Sequence, residues 1–137
     1  LLQESCFNMW NLHGIEPEQI DYATMKATAK QYYLRPEIIE SAYYLYQFTG
    51  DPKYLKMGET FFNGIVKYCR TNAGYAYLQD VTRLTGGQAT KQQADSLESF
   101  FFAETLKYLY LLFVPKETLP FERVVFTTEA HPIHPVR

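Results

Sequence analysis

Three features of the sequence predict an all-α fold. Apolar residues recur at helical spacing, Gly and Pro punctuate the stretches where they do, and one long stretch near the C-terminal end is apolar almost all round. The 137 residues are 47% hydrophobic and 20% charged, enough apolar surface for one packed core and too little chain for two sizeable ones.

The elements follow in order. Residues 1–12 place Leu1, Leu2, Cys6 and Met9 at helical spacing and stop at Gly14, a natural residue just past a helix end. The pattern is already under way at the first residue, which is not Met, as expected of an internal segment. Residues 15–34, with Pro17 and mixed polar residues, read as a loop with one helical turn after Pro17. Arg35-Pro36-Glu37 puts Pro in the first helical position, and Ile39, Ala42, Tyr43 and Tyr46 form a stripe before Gly50. Asp51-Pro52 restarts a helix at once, through Leu55, Met57, Phe61, Phe62, Ile65 and Val66 to about Tyr68, so an αα-hairpin is predicted.

From Arg70 to Lys91 glycines break the pattern, with one extended segment over residues 75–81. Asp95 and Glu98 read as a capping box ahead of SFFFAETLKYLYLLF, which Pro115 closes. A helix apolar on nearly every side is packed on more than one side, inside a larger assembly of helices. Residues 123–128 are β-branched and extended; a lone strand must pair or insert somewhere.

Several classes of function are disfavoured. Thirteen Lys+Arg against fifteen Asp+Glu, a net charge of -2, remove the electrostatic case for nucleic acid or an anionic membrane. No apolar run reaches membrane-spanning length. Cys6 and Cys69 make no disulfide framework and lack CxxC spacing; pairing and free thiols both remain open. Phosphate-binding loops and GxSxG elbows are missing, and His131 and His134 lack zinc-pair spacing.

Glu37 and Glu40 share one face of a first helical turn, where the helix dipole alone would favour them. Glu104 lies between Phe102-Ala103 and Leu106 on a helix with hardly any polar face, so it is either buried with a partner or lines a polar cavity. With 12 Tyr and 10 Phe, what remains is a set of carboxylates, hydroxyls and aromatic rings at helix starts, chemistry suited to sugars and to calcium.

LRPEIIES at 34–41 followed by YYLYQFTGDPKYL, then ESFFFAETLKYLYLLF at 98–113, then VFTTEAHP at 125–132 resemble the successive C-terminal motifs of glycoside hydrolase family 47, the class I α-1,2-mannosidases. The three motifs stand in the family's order and reach across essentially the whole chain. The resemblance implies part of an (α/α)7 barrel with a C-terminal β-hairpin strand plugging it. Seven helix pairs do not fit in this chain, so residues 1–137 are expected to be the C-terminal portion of one catalytic domain, completed by the remaining part in the same or a companion chain.

The implied activity is inverting, calcium-dependent trimming of mannose from high-mannose N-glycans. By resemblance Glu37 is the general base, while Arg35, Phe100, Glu104 and Glu129 contact substrate, with Phe100 packing on the terminal mannose. Thr128 is the direct Ca2+ ligand, and Glu37, Glu40, Glu104 and Glu129 hold the metal's waters. The family's acid lies in motifs that no segment here resembles. Asp95-Ser96-Leu97 and Thr127 depart from the common pattern, which has an Asp-Arg-Met-like string and often Asn at these places. The alternative is a mannosidase-like module that binds glycan or glycoprotein without cleaving it. The resemblance also implies the secretory-pathway lumen or secretion, or the periplasm in a bacterium. CRTNAGYA at 69–76 is similar to fungal members, and FTTEAH to the degradation-enhancing mannosidase-like proteins.

Overall fold

The computed structural model describes residues 1–135. Helices α1 (Leu2–His13), α2 (Glu37–Thr49) and α3 (Lys53–Cys69) lie where the spacing predicts them. The αα-hairpin is built as its residues require. Gly50 adopts a φ of 68° and donates its N–H to the Tyr46 carbonyl, and the Asp51 carboxylate accepts the Lys53 N–H at 2.9 Å. One turn thus ends α2 and begins α3.

α2 is the central element. Its Ile38, Ile39, Ala42 and Tyr43 are buried, a stripe at helical spacing, and α1, α3 and the C-terminal helix pack around it. Between α1 and α3 the core is aromatic: Trp10 meets Phe61 at 4.7 Å and Tyr32 edge-on at 5.6 Å, centroid to centroid, with all three rings buried. Close approach here depends on Gly64, where a Cβ would stand 2.7 Å from the Gly14 carbonyl oxygen and 3.0 Å from the Trp10 ring. Cys6 and Cys69 are both free thiols.

The structure corrects the expectation of a loop with a helical turn at 15–34. β1 (Gln19–Asp21) and β2 (Lys26–Ala29) form an antiparallel hairpin, whose turn is set by the Asp21 carboxylate accepting the Ala23 and Thr24 N–H groups at 2.8 and 3.0 Å. Strands this short with no buried residue leave no apolar alternation to read. The excursion after α3 holds a 3₁₀ turn (Val81–Arg83) and a short α4 (Ala89–Gln92), and its extended segment bridges Leu78 to both Tyr32 and Gln93.

The predicted start of the last helix is also corrected. Asp95 and Glu98 do not cap it; Phe101–Thr105 instead form a π-helical turn, with the Leu106 N–H bonded back to the Phe101 carbonyl, before α5 (Leu106–Phe113) continues. The expected strand pairs within the chain: β3 (Val125–Phe126) lies antiparallel to β4 (Pro132–Ile133). α5 packs on α2 and α3, while Phe102, Tyr110 and Phe113 remain 50–59% exposed. The last two join Phe62 along an apolar groove of about 340 Å³.

A second groove of about 630 Å³ opens between α1 and α2, lined by Leu2, Leu45 and Phe48 and by Glu16, Glu37 and Glu40. Burial, then the negative charges of Glu18 and Glu37, push the Glu16 carboxyl up to about 8.

Two stability measurements follow from this packing. Gly64→Ala forces a methyl onto the Gly14 carbonyl and the Trp10 ring and is expected to lower unfolding stability by about 1–3 kcal/mol, measured by urea denaturation. An unchanged midpoint would show that α1 and α3 are not packed this closely. Glu16 holds its proton to about pH 8 when folded but loses it near 4.5 when unfolded, so the folded state loses stability as pH rises through that window. Glu16→Gln removes the loss: its urea midpoint relative to the parent should be higher at pH 8.5 than at pH 5, and an equal difference at both would refute the buried neutral carboxyl.

Candidate active site

The site is built by two loops pinned to one helix. Leu34 has a φ of 64° and Ala130 a φ of 55°, conformations that cost a non-glycine residue about 1–3 kcal/mol and persist only where their surroundings impose them. Each is held by a hydrogen bond at its carbonyl. Thr105 Oγ1 donates to Leu34 at 2.6 Å in the buried interior, and Lys107 Nζ donates to Ala130 at 2.7 Å. Glu104 stands next to Thr105, so the turn that buries it also fixes the loop leading to Glu37.

Glu104 is 9% exposed. Burial raises its pKa, and the negative charges of Glu129, Glu37 and Glu40 and a carboxyl–carboxyl hydrogen bond to Glu129 raise it further. These three motif segments thus bring their carboxylates within electrostatic reach of one another. Glu40 also accepts a hydrogen bond from Tyr108 Oη at 3.0 Å. Among the described residues none of these four carboxylates forms an ion pair with Lys, Arg or His.

The TTEAH turn is organised by Thr127. Its Oγ1 accepts the Glu129 N–H at 3.3 Å and the His131 N–H at 3.1 Å, and its backbone N–H bonds the His131 carbonyl at 3.0 Å. A hydroxyl therefore makes the local side-chain-to-backbone bonds of an Asx-type turn. Thr128 lies exposed at the tip, immediately before Glu129. No three His, Cys, Asp or Glu side chains among the described residues come together as a direct metal cluster.

Arg35 and Phe100 also come together. The guanidinium carbon lies 6.0 Å from the Phe100 ring centroid and 5.7 Å from that of Tyr33. Glu18 sets this arrangement: Oε2 accepts Arg35 Nε at 2.7 Å while Oε1 accepts the Tyr33 N–H at 3.1 Å. Glu16, Glu18 and Tyr33 are site residues that the sequence reading missed. The available signal was GIEPE, two carboxylates around a Pro in a segment read as loop; pairing with Arg35 became visible only with the hairpin between them.

Comparison with known proteins agrees with the motifs. The chain is 44% identical over 114 residues to human mannosyl-oligosaccharide 1,2-alpha-mannosidase IB, covering 83% of this chain and 17% of that protein. It is 48% identical over 130 residues to human ER degradation-enhancing alpha-mannosidase-like protein 3, covering 93% and 13%. A solved structure of alpha-1,2-mannosidase from Trichoderma reesei superposes with a TM-score of 0.83 at 34% identity, covering 97% of this chain and 32% of the fungal one. The chain thus spans well under a third of the curated relatives it matches. The model of glycosyl hydrolase family 47 matches residues 1–135, and the chain belongs to that family.

Proposed function

We propose that this chain is the C-terminal portion of a single (α/α)7-barrel catalytic domain, its β3–β4 hairpin entering the barrel. Together with the remainder of that domain it works as an inverting α-1,2-mannosidase on high-mannose N-glycans in the lumen of the secretory pathway. The observation that carries the reading is the convergence of Glu37, Glu40, Glu104 and Glu129, from three separate motifs, on one acidic wall without a basic partner among the described residues.

Such a wall suits a hard cation. Its donors are all oxygens, and among the described residues no set of three acidic side chains is close enough to ligate a metal directly. This supports a site in which Thr128 supplies a direct oxygen ligand and the four glutamates hold waters around Ca2+. When bound, the cation supplies orientation of sugar hydroxyls and offsets the carboxylates' mutual repulsion.

Glu37 acts as general base. Standing at the start of α2 with its side chain exposed to the groove, it takes a proton from the water that attacks the anomeric carbon. Inversion requires a second carboxyl, the acid, roughly 6.5–9.5 Å away so that the water fits between them. That acid comes from the remainder of the domain. Arg35 and Phe100 hold the terminal mannose, the ring giving an apolar face and the guanidinium fixed hydrogen-bond donors.

Two measurements test this, both on a protein carrying the complete domain. Glu37→Gln keeps size and shape but cannot accept the proton, so kcat for mannose release should fall about 10²-fold or more; unchanged turnover would remove Glu37 from the mechanism. Chelation with EDTA should abolish mannose release and added Ca2+ restore it, and full activity after complete chelation would sink the calcium site.

A further inference from the structure

We propose that Tyr108 is a positioning residue for the calcium site: its buried hydroxyl fixes one oxygen of Glu40 and so presents the other to the metal's water shell. Tyr108 Oη donates to Glu40 Oε1 at 3.0 Å, from α5 to the first turn of α2. The tyrosine is 1% exposed, whereas Glu40 is half-buried and lines the groove beside Glu37 and Tyr44. Among the described residues Glu40 Oε2 accepts no hydrogen bond, and neither oxygen meets a cation. One oxygen is thus anchored in the core and the other is left to accept from a water.

The ring of Tyr108 makes the anchor rigid. It packs on Tyr43 at 5.6 Å and Tyr44 at 6.1 Å, both on α2, and on Phe126 of β3 at 5.7 Å, centroid to centroid. Phe126 stands two residues before Thr128, the direct ligand of the proposed site. On the far side of the same turn, Lys107 Nζ holds the Ala130 carbonyl at 2.7 Å. Two adjacent residues of α5 therefore set the turn that carries the direct ligand and the carboxylate that holds water, although these lie on separate elements. A binding group must be kept within about 0.5 Å of its working position by neighbours that are themselves locked, and a buried tyrosine between three rings meets that condition.

The inference rests on the calcium reading, and the test separates the two. In a metal-free protein carrying the complete domain, Ca2+ is titrated calorimetrically into the parent, Tyr108→Phe, Glu40→Gln and the double variant. Tyr108→Phe keeps all three ring contacts and removes only the hydroxyl, so its Kd for Ca2+ should rise about tenfold, the low end for partners that orient a metal's ligands. Because the hydroxyl acts through Glu40, it should cost nothing further in the Glu40→Gln background. A parent-like Kd for Tyr108→Phe, or losses that multiply in the double variant, overturns the role of Tyr108 and leaves the calcium site standing. So does a metal-free Tyr108→Phe that melts lower than the parent yet binds Ca2+ as tightly, since the hydroxyl then serves stability alone. A parent that binds no Ca2+ overturns the calcium site and the role of Tyr108 together.

Discussion

The buried hydrogen bond from Thr105 to the Leu34 carbonyl is the constraint on which the acidic wall depends. It crosses from the π-helical turn to the loop before α2, and it holds Leu34 in a left-handed conformation that a β-carbon resists. Arg35 and Pro36 follow directly, so the direction in which α2 sets out, and with it the position of Glu37 and Glu40, is set from the turn that carries Glu104. π turns recur at functional sites because the extra residue redirects side chains within an otherwise regular helix. Here it delivers Glu104, Thr105, Lys107 and Tyr108 to four different tasks within five positions.

The electrostatics follow from where the cations have gone. Arg35 is engaged by Glu18 and Lys107 by the Ala130 carbonyl, so the positive side chains next to the site brace backbone and ring orientation. The carboxylates are left to repel one another, and that repulsion adds to burial in raising the pKa of Glu104. A fold tolerates this unfavourable crowding because the apolar contacts beneath it, from Ile39 and Tyr43 to Tyr108 and Leu112, are dense and independent of the charges.

Much of this was legible in the sequence, for identifiable reasons. α1, α2 and α3 have their ends written in local chemistry, Gly14, Gly50 and Asp51-Pro52, which act whatever surrounds them. Glu104 stood out as a lone carboxylate among apolar neighbours, and it is buried. What could not be read depends on contacts distant in sequence. The π turn accompanies a tether to a residue 71 positions away, and its start carries no local signal, so a capping box was read where none forms. Glu18 gains its part only because the β1–β2 hairpin returns the chain to place residues 33 and 35 against it. The same holds for Thr127, whose hydroxyl organises its turn through ordinary backbone bonds that a motif comparison registers only as a departure.

The separation of these tethers along the chain has a kinetic meaning. Thr105 to Leu34 and Tyr108 to Glu40 close loops of 71 and 68 residues, whereas the αα-hairpin closes within one turn. Loop closure costs entropy before the contact returns anything, so local helices and their hairpin form early and the acidic wall forms late. Interactions made after the transition state leave the folding rate nearly untouched and act on the escape from the native basin. A cation seated on that wall would therefore lengthen the lifetime of the native state without hastening its formation, making the metal a latch on a structure already assembled.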